Sequence, residues 1–74
     1  MNYVEVIDKI NKELESNGVN TIYALIANNI EINVIENIIE KNASAYGELT
    51  SLEKKDLCRY IKGLKAQSKL IGLF

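Results

Sequence analysis

Thr50-Ser51-Leu52-Glu53-Lys54-Lys55-Asp56-Leu57-Cys58-Arg59-Tyr60-Ile61-Lys62-Gly63-Leu64-Lys65-Ala66-Gln67-Ser68-Lys69 reads as one long helix with the clearest start in the chain. Thr50 with Glu53 three residues on forms a capping-box pattern, and Glu53 and Asp56 place negative charge at the positive end of the helix dipole. Leu57, Tyr60, Ile61, Leu64 and Ile71 recur at helical spacing along one side. Lys54, Lys55, Arg59, Lys62, Lys65 and Lys69 all fall on the other, within an arc of roughly 140° at 100° per residue. A helix of this kind buries one stripe against partners and leaves a basic face in water, so the chain is expected to be a helical assembly.

Working outward, the segments upstream repeat the pattern. Residues 2–17 carry Tyr3, Val6, Ile7, Ile10 and Leu14 on one stripe, opposite charges that include the favourable i,i+4 pairs Glu5–Lys9 and Asp8–Lys12. Asn17-Gly18 ends this helix, with Gly18 suited to the left-handed position after the cap. Asn20 or Thr21 caps a second helix through Ile22, Tyr23, Leu25 and Ile26 to about Asn28. A third is predicted over 33–45, with Ile35, Ile38, Ile39 and Ala43 inward and Gly47 closing it. The apolar stripe slips out of phase across 28–33, where three asparagines favour a turn, so these two are separate helices. The expectation is a single all-α domain over 1–74, a compact bundle of four short helices, with Ile10, Ile26, Ile38, Ile39, Leu57, Ile61 and Leu64 in its core. No strand is convincing.

Composition narrows the means of holding such a bundle together. Seventy-four residues lie near the lower limit for an unaided core. Cys58 is the only cysteine and histidine is absent, so an internal disulfide is excluded and neither a zinc site nor any other cofactor is expected. Helix packing and self-association remain. No apolar run approaches the ~20 residues of a membrane helix, and the single unpaired thiol fits a cytoplasmic setting. Proline is absent while Asn, Ile, Lys and Glu abound; their AT-rich codons suggest a low-GC bacterium, its plasmids or its phages.

Charge is split along the chain. Residues 1–40 hold two lysines against seven acids, a local net of −5, and residues 41–74 hold seven bases against three acids, a local net of +4. Such a dipolar molecule is oriented on a partner, on a copy of itself, or along its own fold.

Chemistry is poorly represented. There is no histidine for general-base work and no Gly-rich phosphate loop, so an enzyme is not expected. Glu31, Glu36 and Glu40 follow helical spacing and read as an acidic, solvated face rather than an acid/base pair. Cys58 lies at the edge of the apolar face, where Lys54, Arg59 and Lys62 would lower its pKa, yet a thiol without a histidine reads better as a small hydrophobe.

Residues 25–32, Leu-Ile-Ala-Asn-Asn-Ile-Glu-Ile, resemble the first helix and turn of a helix-turn-helix motif extending over 21–41. Glu31 stands where the turn glycine belongs, and Asn37 and Glu40 stand where apolar residues are expected. Ile35 and Ile38 would fit only after a two-residue deletion, and Glu36 and Glu40 on the recognition helix would repel phosphates. The basic face at 51–69 is a second candidate for nucleic acid, but it holds a single arginine and no interleaved aromatic platform.

Val34 to Asn42, followed by Leu49-Thr50-Ser51-Leu52-Glu53, resembles the middle of the small all-helical Hha/YmoA nucleoid modulators, which act by binding a DNA-coating protein. That family's Ala-Ala-Asp-His-Arg helix and C-terminal tryptophan have no counterpart here, and membership is not assigned.

The residues therefore predict a small, non-enzymatic interaction or regulatory protein of accessory type that works by occupying a protein partner. The alternative is a nucleic-acid-binding regulator using the basic face or the degenerate motif. A homodimer is also expected, since the tail Leu70-Ile71-Gly72-Leu73-Phe74, with Tyr3 and Val4, offers more apolar surface than a chain of this length easily covers.

Overall fold

The computed structural model describes residues 2–71, with side chains placed through Ser68. The five helices are α1 (Tyr3–Ser16), α2 (Ile22–Ala27), α3 (Ile32–Asn42), α4 (Ser44–Gly47) and α5 (Ser51–Ile71), and no strand is present among the described residues. The radius of gyration, 11.5 Å, is what a compact chain of this length should have, about 11 Å. At ~1.5 Å per residue, α5 runs about 31 Å, nearly the full 33 Å of the longest dimension. It packs on α3 and α2, while α1 packs on α4 and α3.

Each stripe seen in the sequence finds its place. Ile7, Ile10 and Leu14 of α1 meet Ile22, Leu25 and Ile26 of α2, Ile35 and Ile39 of α3, Tyr46 of α4 and Leu57 and Ile61 of α5 in one core. Of the seven expected core residues, Ile10, Ile26, Ile39, Leu57 and Ile61 are buried. Ile38 and Leu64 are only half-buried against it. The tail residues 70–74 and the side chain of Lys69 lie outside the described side chains.

The helix ends explain the boundaries. Asn2 caps α1 through bonds from the backbone N–H groups of Val4 and Glu5, at 3.1 and 3.3 Å. Gly18 takes φ +72° after α1, and Val19 N–H to Leu14 O (2.8 Å) with Gly18 N–H to Glu15 O (3.0 Å) completes a Schellman motif. The same motif closes α2, with Asn29 at φ +58° in the glycine's role. The asparagine-rich break is thus a left-handed turn that an Asn tolerates better than most residues.

One predicted helix boundary fails. The predicted third helix does not continue to 45: it ends at Asn42, and Ala43 is extended at φ −130°, ψ 109°. Ser44–Gly47 forms a separate short helix, so the described residues form five helices and Gly47 closes the fourth. The break puts both Ala43 and Ala45 into the core, which a straight continuation, setting them about 200° apart, would not do; Tyr46 is buried beside them.

Candidate functional site

The basic residues of α5 do not form a uniform face. Lys65 is half-buried, and its Nζ donates at 2.7 Å to the carbonyl of Ile30, in the connection between α2 and α3. Lys54 lies with its Nζ 5.1 Å from the centroid of the Tyr46 ring, in cation–π geometry. Lys55, Arg59 and Lys62 are exposed; Arg59 reaches Asp56 at 3.5 Å one turn back. Leu52, 69% exposed, precedes Lys55 and Arg59 on the same side of the helix.

Beside this face is an open cleft of about 360 Å³, walled by α3, α4 and α5. Glu36 comes from α3 and Tyr46 from α4; α5 contributes Lys54, Lys55, Cys58, Arg59 and Lys62. Tyr46 is placed by the break at Ala43, and its hydroxyl lies 3.9 Å from the Cys58 sulfur. Burial, then the neighbouring Cys58, pushes the Tyr46 phenol far above its ordinary value. The Cys58 thiol is also pushed up, by burial first and by Glu36 second, and the nearby Lys62 does not offset this. That reverses the lowering expected from the surrounding bases: Cys58 is a protonated, partly buried thiol. It is not poised as a nucleophile.

The three acids of the expected acidic face separate. Glu31 is the exposed N-cap residue of α3 and makes no side-chain capping bond; Glu40 is exposed; Glu36 is half-buried in the cleft wall. Opposite charges far apart in sequence are thus brought to one cleft, Glu36 against Lys54, Lys55 and Lys62. Even so, no carboxylate among the described residues lies within ion-pair distance of those three lysines.

Some polar residues with defined jobs carried no signal in the sequence. Asn11 is buried and accepts the N–H of Ile22 at 2.9 Å, capping α2 from α1. Glu13 accepts from Ser44 N–H (3.1 Å), the Ser44 hydroxyl and Ala45 N–H (3.0 Å), capping α4. The Ser44 hydroxyl, then the Ala45 N–H, holds the Glu13 carboxyl below its ordinary range. Asn17 donates to the carbonyl of Asn42 at 2.8 Å. These are structural roles, since every group they satisfy except the Ser44 hydroxyl is a backbone N–H or carbonyl.

The helix-turn-helix candidate is laid out as α2, the left-handed turn at Asn29, and α3. Ile35 and Ile39 face the core, while Asn37 and Glu40 are exposed. The outer surface of α3 therefore carries acid and amide groups and the exposed Val34, with Lys41 its one base. Among the described residues no group of His, Cys, Asp or Glu is arranged to hold a metal ion, and no helix is long and apolar enough to cross a membrane. Comparison with protein-family models, with curated proteins and with solved structures gives no match.

Proposed function

We propose that this protein is a small non-enzymatic interaction module, regulatory or accessory in role, that docks the outer face of α5 on an acidic surface of a protein partner. The observation that carries this reading is Leu52, a large apolar side chain 69% exposed one turn from the exposed cation Lys55, with the exposed Arg59 and Lys62 further along the same helix. An apolar anchor flanked by cations suits a protein surface, where Leu52 would be desolvated and the bases would steer and orient the encounter. A phosphate backbone would use the bases and leave the leucine wet. A second copy of this chain belongs to the same class of partner, because α1 exposes Glu5, Asp8 and Glu15. A cytoplasmic setting suits the free thiol Cys58.

The test compares wild type with Leu52→Asp and with Lys55→Glu/Lys62→Glu, all exposed positions whose change should leave the fold intact. Affinity capture from the source cell at low salt is expected to retain a partner that both variants lose. Sedimentation of the purified protein identifies the case in which that partner is a second copy. Tight duplex-DNA binding that falls steeply with salt, is lost in the double variant and is unaffected by Leu52→Asp would overturn the reading in favour of a nucleic-acid regulator.

A further inference from the structure

The cleft between α3, α4 and α5 has no role in the fold that would require its charge. Its wall carries four cations, Lys54, Lys55, Arg59 and Lys62, against one carboxylate, Glu36. Only Arg59 has an acidic partner among the described residues, Asp56 on its own helix. Four like charges held on three turns of one helix repel one another. Asp56 and the Tyr46 ring offset part of the repulsion at Arg59 and Lys54, but no carboxylate among the described residues lies within ion-pair distance of Lys55 or Lys62, so the cleft keeps an excess of positive charge. An anion seated among these side chains would offset it. At about 360 Å³ the cleft lies at the lower end of the size range of small-ligand sites, with room for two linked phosphoryl groups.

We propose that this cleft binds a small anion carrying two phosphoryl groups, held by Lys54, Lys55, Arg59 and Lys62. The formal lining charge of +3, from four cations and one carboxylate, matches a diphosphate far better than a lone carboxylate. Arg59 can present its guanidinium fork to two oxygens of one phosphoryl group, while the lysines act as mobile point charges. Tyr46 and Cys58 stay protonated, so the floor offers neutral O–H and S–H groups and no further negative charge. Glu36 is the repulsive element, and it selects against anions that fill the α3 side of the cleft. The inference extends the docking surface proposed above, since Lys55, Arg59 and Lys62 belong to both. Occupancy would therefore cancel the positive charge of that surface and act as a switch on docking.

The experiment is a titration of the 15N-labelled protein with inorganic pyrophosphate at constant ionic strength, followed by amide chemical shifts. Saturable shifts confined to the neighbourhood of Tyr46, Lys54, Cys58 and Lys62 are expected. Lys55→Gln/Lys62→Gln should weaken binding by about tenfold or more, the usual scale for losing charge-assisted contacts. Lys12→Gln/Lys41→Gln removes the same charge elsewhere and should leave the affinity unchanged. Glu36→Gln should tighten it. Two sources carry the group: ADP binding equal to pyrophosphate points to the bare anion, and tighter ADP binding points to a nucleotide. Shifts that never saturate, that spread over the surface, or that fall equally in both lysine pairs would overturn the proposal. Leu52→Asp lies outside the cleft lining and should bind pyrophosphate normally, so loss of partner capture in that variant tests docking alone.

Discussion

The N-terminus of α5 and the N-terminus of α4 solve the same problem by opposite means. At α5, Thr50 Oγ1 accepts the Glu53 N–H at 3.2 Å and the Glu53 carboxylate accepts the Thr50 N–H at 3.0 Å, a closed exchange within four residues. At α4, Ala43 and Ser44 provide no such local arrangement, and the free N–H groups are taken by Glu13, 31 and 32 positions away. α2 combines the two: Thr21 accepts the Ala24 N–H locally, and Asn11 of α1 takes the Ile22 N–H. A local cap depends on dihedrals within one turn and forms with the helix it starts. A distant cap exists only when two helices have already docked, so it reports tertiary structure and contributes to its cooperativity.

The comparison can be broken at several strengths. Ile61, 1% exposed at the centre of α5, should cost ~2–5 kcal/mol when replaced by alanine, and both kinds of cap should melt together with it. Leu64, half-buried one turn on, should cost distinctly less. Equal losses in chemical denaturation would mean that the inward stripe of α5 is set differently from the one described.

Asn11→Ala comes next. It leaves the Ile22 N–H without its acceptor in a buried place, at a cost of about 1–3 kcal/mol, and it should loosen α2 without touching the start of α5. Thr50→Ala removes only an exposed local cap and should cost ~0.5–2 kcal/mol. Hydrogen exchange separates the two. Asn11→Ala should lower protection in α2 and along α1, whereas Thr50→Ala should fray the first turn of α5 alone. If Thr50→Ala proved the more damaging, the distant caps would have little energetic weight.

The smallest effect is in acid. Glu13 is held below the ordinary carboxyl value of 4.5 by the Ser44 hydroxyl and then the Ala45 N–H, and Glu53 is held below it by its bonds to Thr50. A carboxyl whose folded pKa is depressed binds fewer protons when folded, so its contribution is complete above the unfolded value and is lost as pH falls through the folded one. Stability should therefore decline below about pH 4.5, and Glu13→Gln and Glu53→Gln should each flatten that decline. Melting curves between about pH 6 and about pH 3 measure it. A Glu13→Gln protein with the wild-type acid slope would show that the distant cap carries no charge-dependent stability.

By itself the sequence determined what depends on neighbours within a turn or on a repeat of 3.6 residues. The stripes of α1 and α5, the capping box at Thr50, the left-handed Gly18 and the asparagine break before α3 were legible because each is settled by local sterics and local hydrogen bonds. Lys54, Lys55, Arg59 and Lys62 were legible as one helical face for the same reason. Tertiary structure alone decided the rest. It broke the third helix at Ala43, turned Tyr46 under Lys54, drew Glu36 to the basic cleft and Lys65 away to the Ile30 carbonyl, and gave Asn11, Glu13 and Asn17 their partners. Those pairings join residues distant in the chain, and a polar side chain on a helix carries no mark of which backbone group will be left unpaired beside it until packing has chosen the neighbour.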